Sequence, residues 1–161
     1  MQALDIVMCC DADALITMRQ AGLLGSMRPL VERGLVKIPK GIIGELAKAV
    51  GSEVTRQLKD WEERYRLTVD LDLEPSALAL LPGIELRYGP RFSVGGITYA
   101  GFWRGGRRDS RDGEVVALAR ALGWRVVSND HSVHGACLFE GIECLRWESL
   151  ARAAGFSSPG H

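Results

Sequence analysis

The chain has 161 residues, enough for one domain that buries roughly two-thirds of the surface its unfolded form exposes. Hydrophobic residues make up 47% and charged residues 25%, which excludes a disordered or fibrous chain, and no apolar run approaches the roughly 20 residues of a membrane helix. A formal net charge of +0 excludes attraction of the whole molecule to nucleic acid, yet the charge is unevenly spread. All four lysines (Lys37, Lys40, Lys48, Lys59) lie in the first half, and residues 87–111 hold six arginines against one acid, Asp109, a local excess of +5.

The N-terminal MQALDIVMCCDAD has no basic leader and carries acid where a signal peptide is apolar, so a reduced, cytoplasmic and unprocessed chain is expected. Leu4 to Cys10 is an almost continuous apolar run, the pattern of a strand covered on both faces. It stops at Asp11-Ala-Asp13. Helical spacing through Leu15, Ile16 and Met18 ends at Gly22, and Ser26 is placed to cap a second helix ending near Gly34. Leu35 to Ile38 reads as a strand, and Pro39 suits an early helical position ahead of the apolar face Ile42, Ile43, Leu46 and Ala47. A helix from Ser52 to about Tyr65 turns Val54, Leu58 and Trp61 inward. Leu67 to Leu71 alternates like a strand, and Pro75 opens a brief helix through Leu81.

From Pro82 to Ser110 no helical period persists, although Phe92 to Val94 and Ile97 to Tyr99 flank Gly95-Gly96, a pair suited to a tight hairpin turn. Regularity returns with a helix over 111–122 stopped by Gly123, a strand over 125–128, a helix from His131 to Glu140, a strand over 142–145 and a helix from Glu148 to Ala154. Strands alternating with helices predict an α/β domain: three layers, a mainly parallel central sheet, and helices on both faces. It spans residues 1–154, with an arginine- and aromatic-rich insertion at about 83–108 and a flexible tail at 155–161.

In an open parallel sheet, function collects at the carboxyl ends of strands, and two strands here end in acid, at Asp11 and Asp130. Glu45 lies one turn into the helix after the second strand, and Asp112 and Glu114 open the helix that feeds the Asp130 strand. Converging carboxylates raise one another's pKa unless something positive sits among them, and Mg²⁺ or Mn²⁺ with hard oxygen ligands answers that need. Such an ion orients water and stabilises charge developing on a phosphate. The chain has no phosphate-binding glycine loop, no nucleophile elbow and no paired CxxC.

DADALI at 11–16, IPKGIIGEL at 38–46 and DGEVVALARALGWRVVSND at 112–130 resemble, in order, the opening motif, the second motif, and the third and fourth motifs of the PIN-domain family of metal-dependent ribonucleases. The resemblance covers about residues 4–147 and departs from the compact pattern at 83–108. It implies an endoribonuclease, often the toxin of a toxin–antitoxin pair (VapC-like). Asp11, Glu45, Asp112 and Asp130 are then the catalytic, metal-holding acids, and Glu114 is the close second to Asp112. RNA is the implied substrate, with an antitoxin protein and a second copy of the chain as candidate partners.

Around that set, Asp13, Ser128 and Asn129 are candidates to support the ligands, while Asp109 reads as a cap. His131, His134 and Cys137 have ligand-like spacing, but zinc needs a tidier cluster. Cys9, Cys10, Cys137 and Cys144 read as buried thiols. Arg104, Arg107 and Arg108 are candidate substrate contacts. Tyr88, Phe92, Tyr99, Phe102 and Trp103 either stack bases or pack the hairpin on the domain or on a second copy. Asp11-x-Asp13 and Asn129-Asp130 also suggest a haloacid-dehalogenase-type phosphatase, against which stands the lack of any lysine after Lys59. A non-catalytic module binding RNA or protein is the remaining alternative.

Overall fold

The structure, a computed structural model, describes residues 5–50, 52–108 and 110–156. Five parallel strands form the central sheet: β1 (Met8–Cys10), β2 (Val36–Pro39), β3 (Thr68–Val69), β6 (Arg125–Val127) and β7 (Cys144–Leu145). Their order is β3-β2-β1-β6-β7, so β1 is central. Met8, Cys9 and Cys10 are wholly buried, as an apolar run under helices on both faces requires. Met8 pairs with Val36 on one side and with Arg125 on the other.

The helices are α1 (Ala12–Gln20), α2 (Arg28–Glu32), α3 (Ile42–Val50), α4 (Ser52–Tyr65), α5 (Pro75–Tyr88), α6 (Asp112–Leu122), α7 (His131–Glu140) and α8 (Trp147–Ala154). Together with the parallel sheet they give the expected three-layer α/β architecture. Among the described residues no helix is long and apolar enough to cross a membrane.

Several boundaries differ from the sequence expectation for physical reasons. Residues 5–7 precede β1 rather than extend it, and Asp5 and Ile6 are exposed. Ser26 lies inside a short 3-10 turn, Leu24–Met27, and does not cap α2. Ala47 is exposed, whereas Ile42 and Leu46 fill the core. Pro39 ends β2 instead of opening α3. Ile38 and Lys40 donate to Leu67 and Val69 at 3.1 and 2.9 Å, so alternate residues face β3. Pro39 faces the β1 side, where the pairing ends at Cys9–Lys37, and its missing N–H costs no ladder bond there.

The larger correction concerns α5, which continues through Pro82 to Tyr88. Proline removes one helical hydrogen bond, but Ala77, Leu81, Ile84 and Tyr88 keep the spacing of one face, and that face is packed into the core. Tertiary burial overrides the local stop signal. After α5 come β4 (Phe92–Val94) and β5 (Ile97–Tyr99), an antiparallel hairpin pairing Phe92 with Tyr99. Gly95 and Gly96 both have positive φ (58° and 80°), the requirement of a primed two-residue turn.

The hairpin lies on α7. Tyr88, Tyr99 and Phe102 are buried, and Phe92 stacks on Tyr99 with ring centroids 5.0 Å apart. Of the two uses open to these aromatics, the structure shows the packing one. Gly135 of α7 is the seat for Tyr99, since a Cβ there would meet its ring at 2.7 Å.

Candidate functional site

Winding proceeds from β1 to β2 and β3 on one side, then returns past β1 to β6 and β7 on the other. The order reverses at β1 and β6, and in open α/β sheets ligands bind beyond the carboxyl ends of the strands at such a point. Asp11 follows β1 directly, and Ser128, Asn129 and Asp130 follow β6.

Asp11 caps α1, its Oδ1 accepting the Ala14 amide at 2.8 Å. Its Oδ2 accepts the Ser128 hydroxyl. The Ser128 oxygen in turn accepts the Asp130 amide at 2.9 Å, so one hydroxyl ties the ends of β1 and β6 together. Asp11 is 0% exposed. Burial, and then the charge of Asp112, hold its carboxyl well above the usual range, against the lowering by Ser128 and Ala14.

Asp112 opens α6 and is half-buried, its amide donating to the Ser110 hydroxyl at 3.2 Å. Burial, followed by the negative charges of Asp130 and Glu45, pushes its carboxyl up to about 7. Glu45 lies in the first turn of α3 and accepts the Arg111 amide at 3.3 Å. Asp130 caps α7 through Oδ1, which accepts the Ser132 and Val133 amides at 2.9 and 3.1 Å. Its Oδ2 accepts the Arg104 guanidinium at 2.5 Å. Asp13 is exposed at the rim, and its carboxyl is raised by partial burial and by Asp130, while Arg104 opposes the rise.

Asp11, Glu45, Asp112 and Asp130 therefore act on one another electrostatically, with Asp13 beside them. Glu114 is held differently: the Arg111 guanidinium pairs with it at 2.7 Å and lies against Gly41, where a Cβ would stand 2.5 Å from the guanidinium Nε. Asn129 faces away from the acids, its amide donating to Glu148 at 2.7 Å and its carbonyl accepting the Trp147 amide at 2.9 Å. Arg107 and Arg108 are exposed, and Arg108 lies over the Trp103 ring at 4.3 Å. Asp109 lies outside the described residues.

His131 and His134 have partners other than the acids. His131 packs its ring on Tyr99 at 4.5 Å between centroids, and a His134 ring nitrogen stands 2.6 Å from the Ser128 carbonyl. Cys9, Cys10 and Cys137 are buried as expected, but half-buried Cys144 differs. A hydrogen bond with Cys137, and then burial opposed by His134, leave its thiol lowered to about 6. Ser110, Arg111 and Ser132 are site-building residues that the sequence reading passed over. Ser110 stands two residues before Asp112, a capping spacing visible in the sequence. Ser132 has no such signal, because it holds the amide of Gly101 at 3.0 Å across a fold-level contact.

By donor chemistry the set fits a hard divalent cation: every donor is a carboxylate oxygen, and Asp11 and Asp112 show the mutual repulsion such an ion relieves. Among the described residues, however, no group of three or more His, Cys, Asp or Glu side chains is arranged to hold a metal as it stands. At Asp130 the positive charge is instead the Arg104 guanidinium.

Fold and site together define an α/β protein with a carboxylate cluster at the switch point of a parallel sheet. No protein-family model matches the chain, and no curated protein matches it.

Proposed function

We propose that the chain is a metal-dependent endoribonuclease that hydrolyses RNA phosphodiester bonds, using Asp11, Glu45, Asp112 and Asp130 to hold Mg²⁺ or Mn²⁺. The observation that carries this reading is the placement of the acids: Asp11 and Asp130 directly after β1 and β6, and Glu45 and Asp112 in the first turns of α3 and α6, where burial and like charge raise the Asp112 carboxyl. Stability alone does not favour such a gathering of like charge, and an oxygen-seeking cation accounts for it. The motif resemblance at 11–16, 38–46 and 112–130 points the same way.

In this proposal a bound divalent ion supplies charge stabilisation at the phosphate and a lowered pKa for water. The chain's own parts do the positioning. Ser128 fixes Asp11 against Asp130, α3 presents Glu45, and the α6 start presents Asp112. Arg107 and Arg108 offer exposed cations for the RNA backbone. On the resemblance alone, an antitoxin protein and a second copy of the chain are the proposed partners, and the cytoplasm the proposed compartment.

Incubation with labelled single-stranded RNA tests the proposal. Cleavage should require Mg²⁺ or Mn²⁺, stop in chelator, and fall at least about 100-fold in Asp11→Asn and in Asp112→Asn. Cleavage untouched by chelator and by both substitutions would refute it.

A non-catalytic binding module is favoured by one observation, the Arg104–Asp130 pair where a cation would otherwise sit. RNA binding without cleavage, unchanged in chelator, is its signature. The phosphatase reading has no such support. That chemistry needs a lysine late in the chain to neutralise a phosphoaspartate, and none follows Lys59.

A further inference from the structure

Asp130 already has a cation on it, and that cation belongs to the chain. The Arg104 guanidinium stands 2.5 Å from Asp130 Oδ2; the arginine side chain is 60% exposed and the carboxylate side chain 13%. An almost covered acid is thus neutralised by a group reaching in from solvent. Among the described residues the contact is with Asp130 alone, whose other oxygen, Oδ1, is taken by the Ser132 and Val133 amides.

The backbone that leads into Arg104 is anchored to the domain. Gly101, at φ +93°, fits against the Gly89 and Pro90 carbonyls, where a Cβ would come within 2.4 Å. Its amide donates to the Ser132 hydroxyl at 3.0 Å, while Phe102 and Trp103 donate to the Tyr88 and Gly89 carbonyls at 2.9 and 2.8 Å. Residues 101–103 are thereby pinned to the end of α5 and the first turn of α7. Beyond them, residues 104–108 are all exposed, and Gly105 and Gly106 carry positive φ (65° and 76°). Glycines at both positions allow the 3-10 turn Arg104–Gly106, from which the exposed arginine side chain reaches Asp130.

We infer that Arg104 is a resident counter-cation of the acid cluster, which a divalent metal must displace from Asp130 before the site is complete. The inference rests on the metal reading of the cluster. Both cations need the same carboxylate oxygen, so the affinity for metal is the intrinsic affinity reduced by the cost of expelling the guanidinium. The arginine that leaves Asp130 remains within the same exposed segment as Arg107 and Arg108.

Titration calorimetry with Mn²⁺ on the full chain tests this through binding alone, with no substrate present. Arg104→Gln should bind Mn²⁺ about tenfold more tightly than wild type, corresponding to about 1.4 kcal/mol. Arg104→Lys keeps a competing charge and should stay within about threefold of wild type. Asp112→Asn should abolish the same binding. Equal or weaker Mn²⁺ affinity in Arg104→Gln, where wild type does bind, overturns the exchange and leaves the metal reading intact. Binding that survives Asp112→Asn unchanged lies elsewhere and also overturns the exchange. No Mn²⁺ binding by any of the proteins defeats the metal reading and this inference with it. As a second readout, amide hydrogen exchange at 104–108 in wild type should accelerate when Mn²⁺ is added; unchanged exchange with Mn²⁺ bound contradicts displacement.

Discussion

Replacing Asp112 by Asn should stabilise the metal-free protein, and by an amount that grows with pH. In the fold the Asp112 carboxyl rises from its ordinary 3.8 to about 7, chiefly through burial and then through Asp130 and Glu45. Between those two pH values the unfolded chain has released this proton while the folded chain still holds it. Stability therefore falls as pH rises through the window, by about 1.36 kcal/mol for each pH unit, or about 4 kcal/mol in all. Asp112 is only half-buried, and water screening reduces that to about 2 kcal/mol. The neutral amide of Asn has no proton to lose and escapes the penalty. The assay is urea denaturation of wild type and Asp112→Asn in chelator at steps between pH 4 and pH 8. The difference in unfolding free energy should be small at pH 4, climb towards about 2 kcal/mol near pH 7, and then level off. Saturating Mn²⁺ should reverse the order at pH 7.5, because only the wild type retains the full donor set. A difference that stays flat over pH 4–8, or shrinks as pH rises, would refute the reasoning about a repelling cluster.

Three further outcomes follow from particular contacts. Ser128→Ala removes the hydroxyl that serves both Asp11 and the Asp130 amide, so it should cost about 1–3 kcal/mol in chelator; unchanged stability by denaturant titration would show that the two strand ends are held by something else. Gly135→Ala drives a methyl into the Tyr99 ring and should destabilise by about 1–3 kcal/mol despite the better helix propensity of alanine, whereas a raised melting temperature would mean that the hairpin does not sit on α7. Among the four thiols, Cys144 should react first with iodoacetamide at pH 7, read by peptide mass mapping, since its thiol is lowered to about 6 while burial pushes the Cys9 and Cys10 thiols up; equal labelling of all four would contradict that assignment.

What the sequence makes legible depends on the range of the force that sets each feature. Helix α7 is readable to the residue, because Asp130 caps it and Gly141 ends it at φ 72°. The β4–β5 hairpin is readable for the same local reason, its two glycines. Helix α5 is misread at Pro82, where proline is a valid stop signal locally and the burial of Ile84 and Tyr88 outweighs it only in the assembled core. The strand-end acids Asp11 and Asp130 are legible because an apolar run that stops at an acid needs no partner to be noticed. Arg104 is legible only as part of a basic stretch, and its pairing with an acid 26 residues onward is a product of folding. The aromatics of the insertion follow the same rule. Their spacing suits stacking on bases as well as on one another, and the seat offered by Gly135 decides for packing.

Diffraction from crystals soaked in MnCl₂, recorded for anomalous signal, shows whether the acids hold a metal. One or two manganese peaks should appear at about 2.2 Å from carboxylate oxygens of Asp112 and Asp130. Asp11 and Glu45 should complete or border the site, and the Arg104 guanidinium should have left Asp130. Saturated crystals with no anomalous peak among these four acids, and with Arg104 still seated on Asp130, would contradict the metal reading.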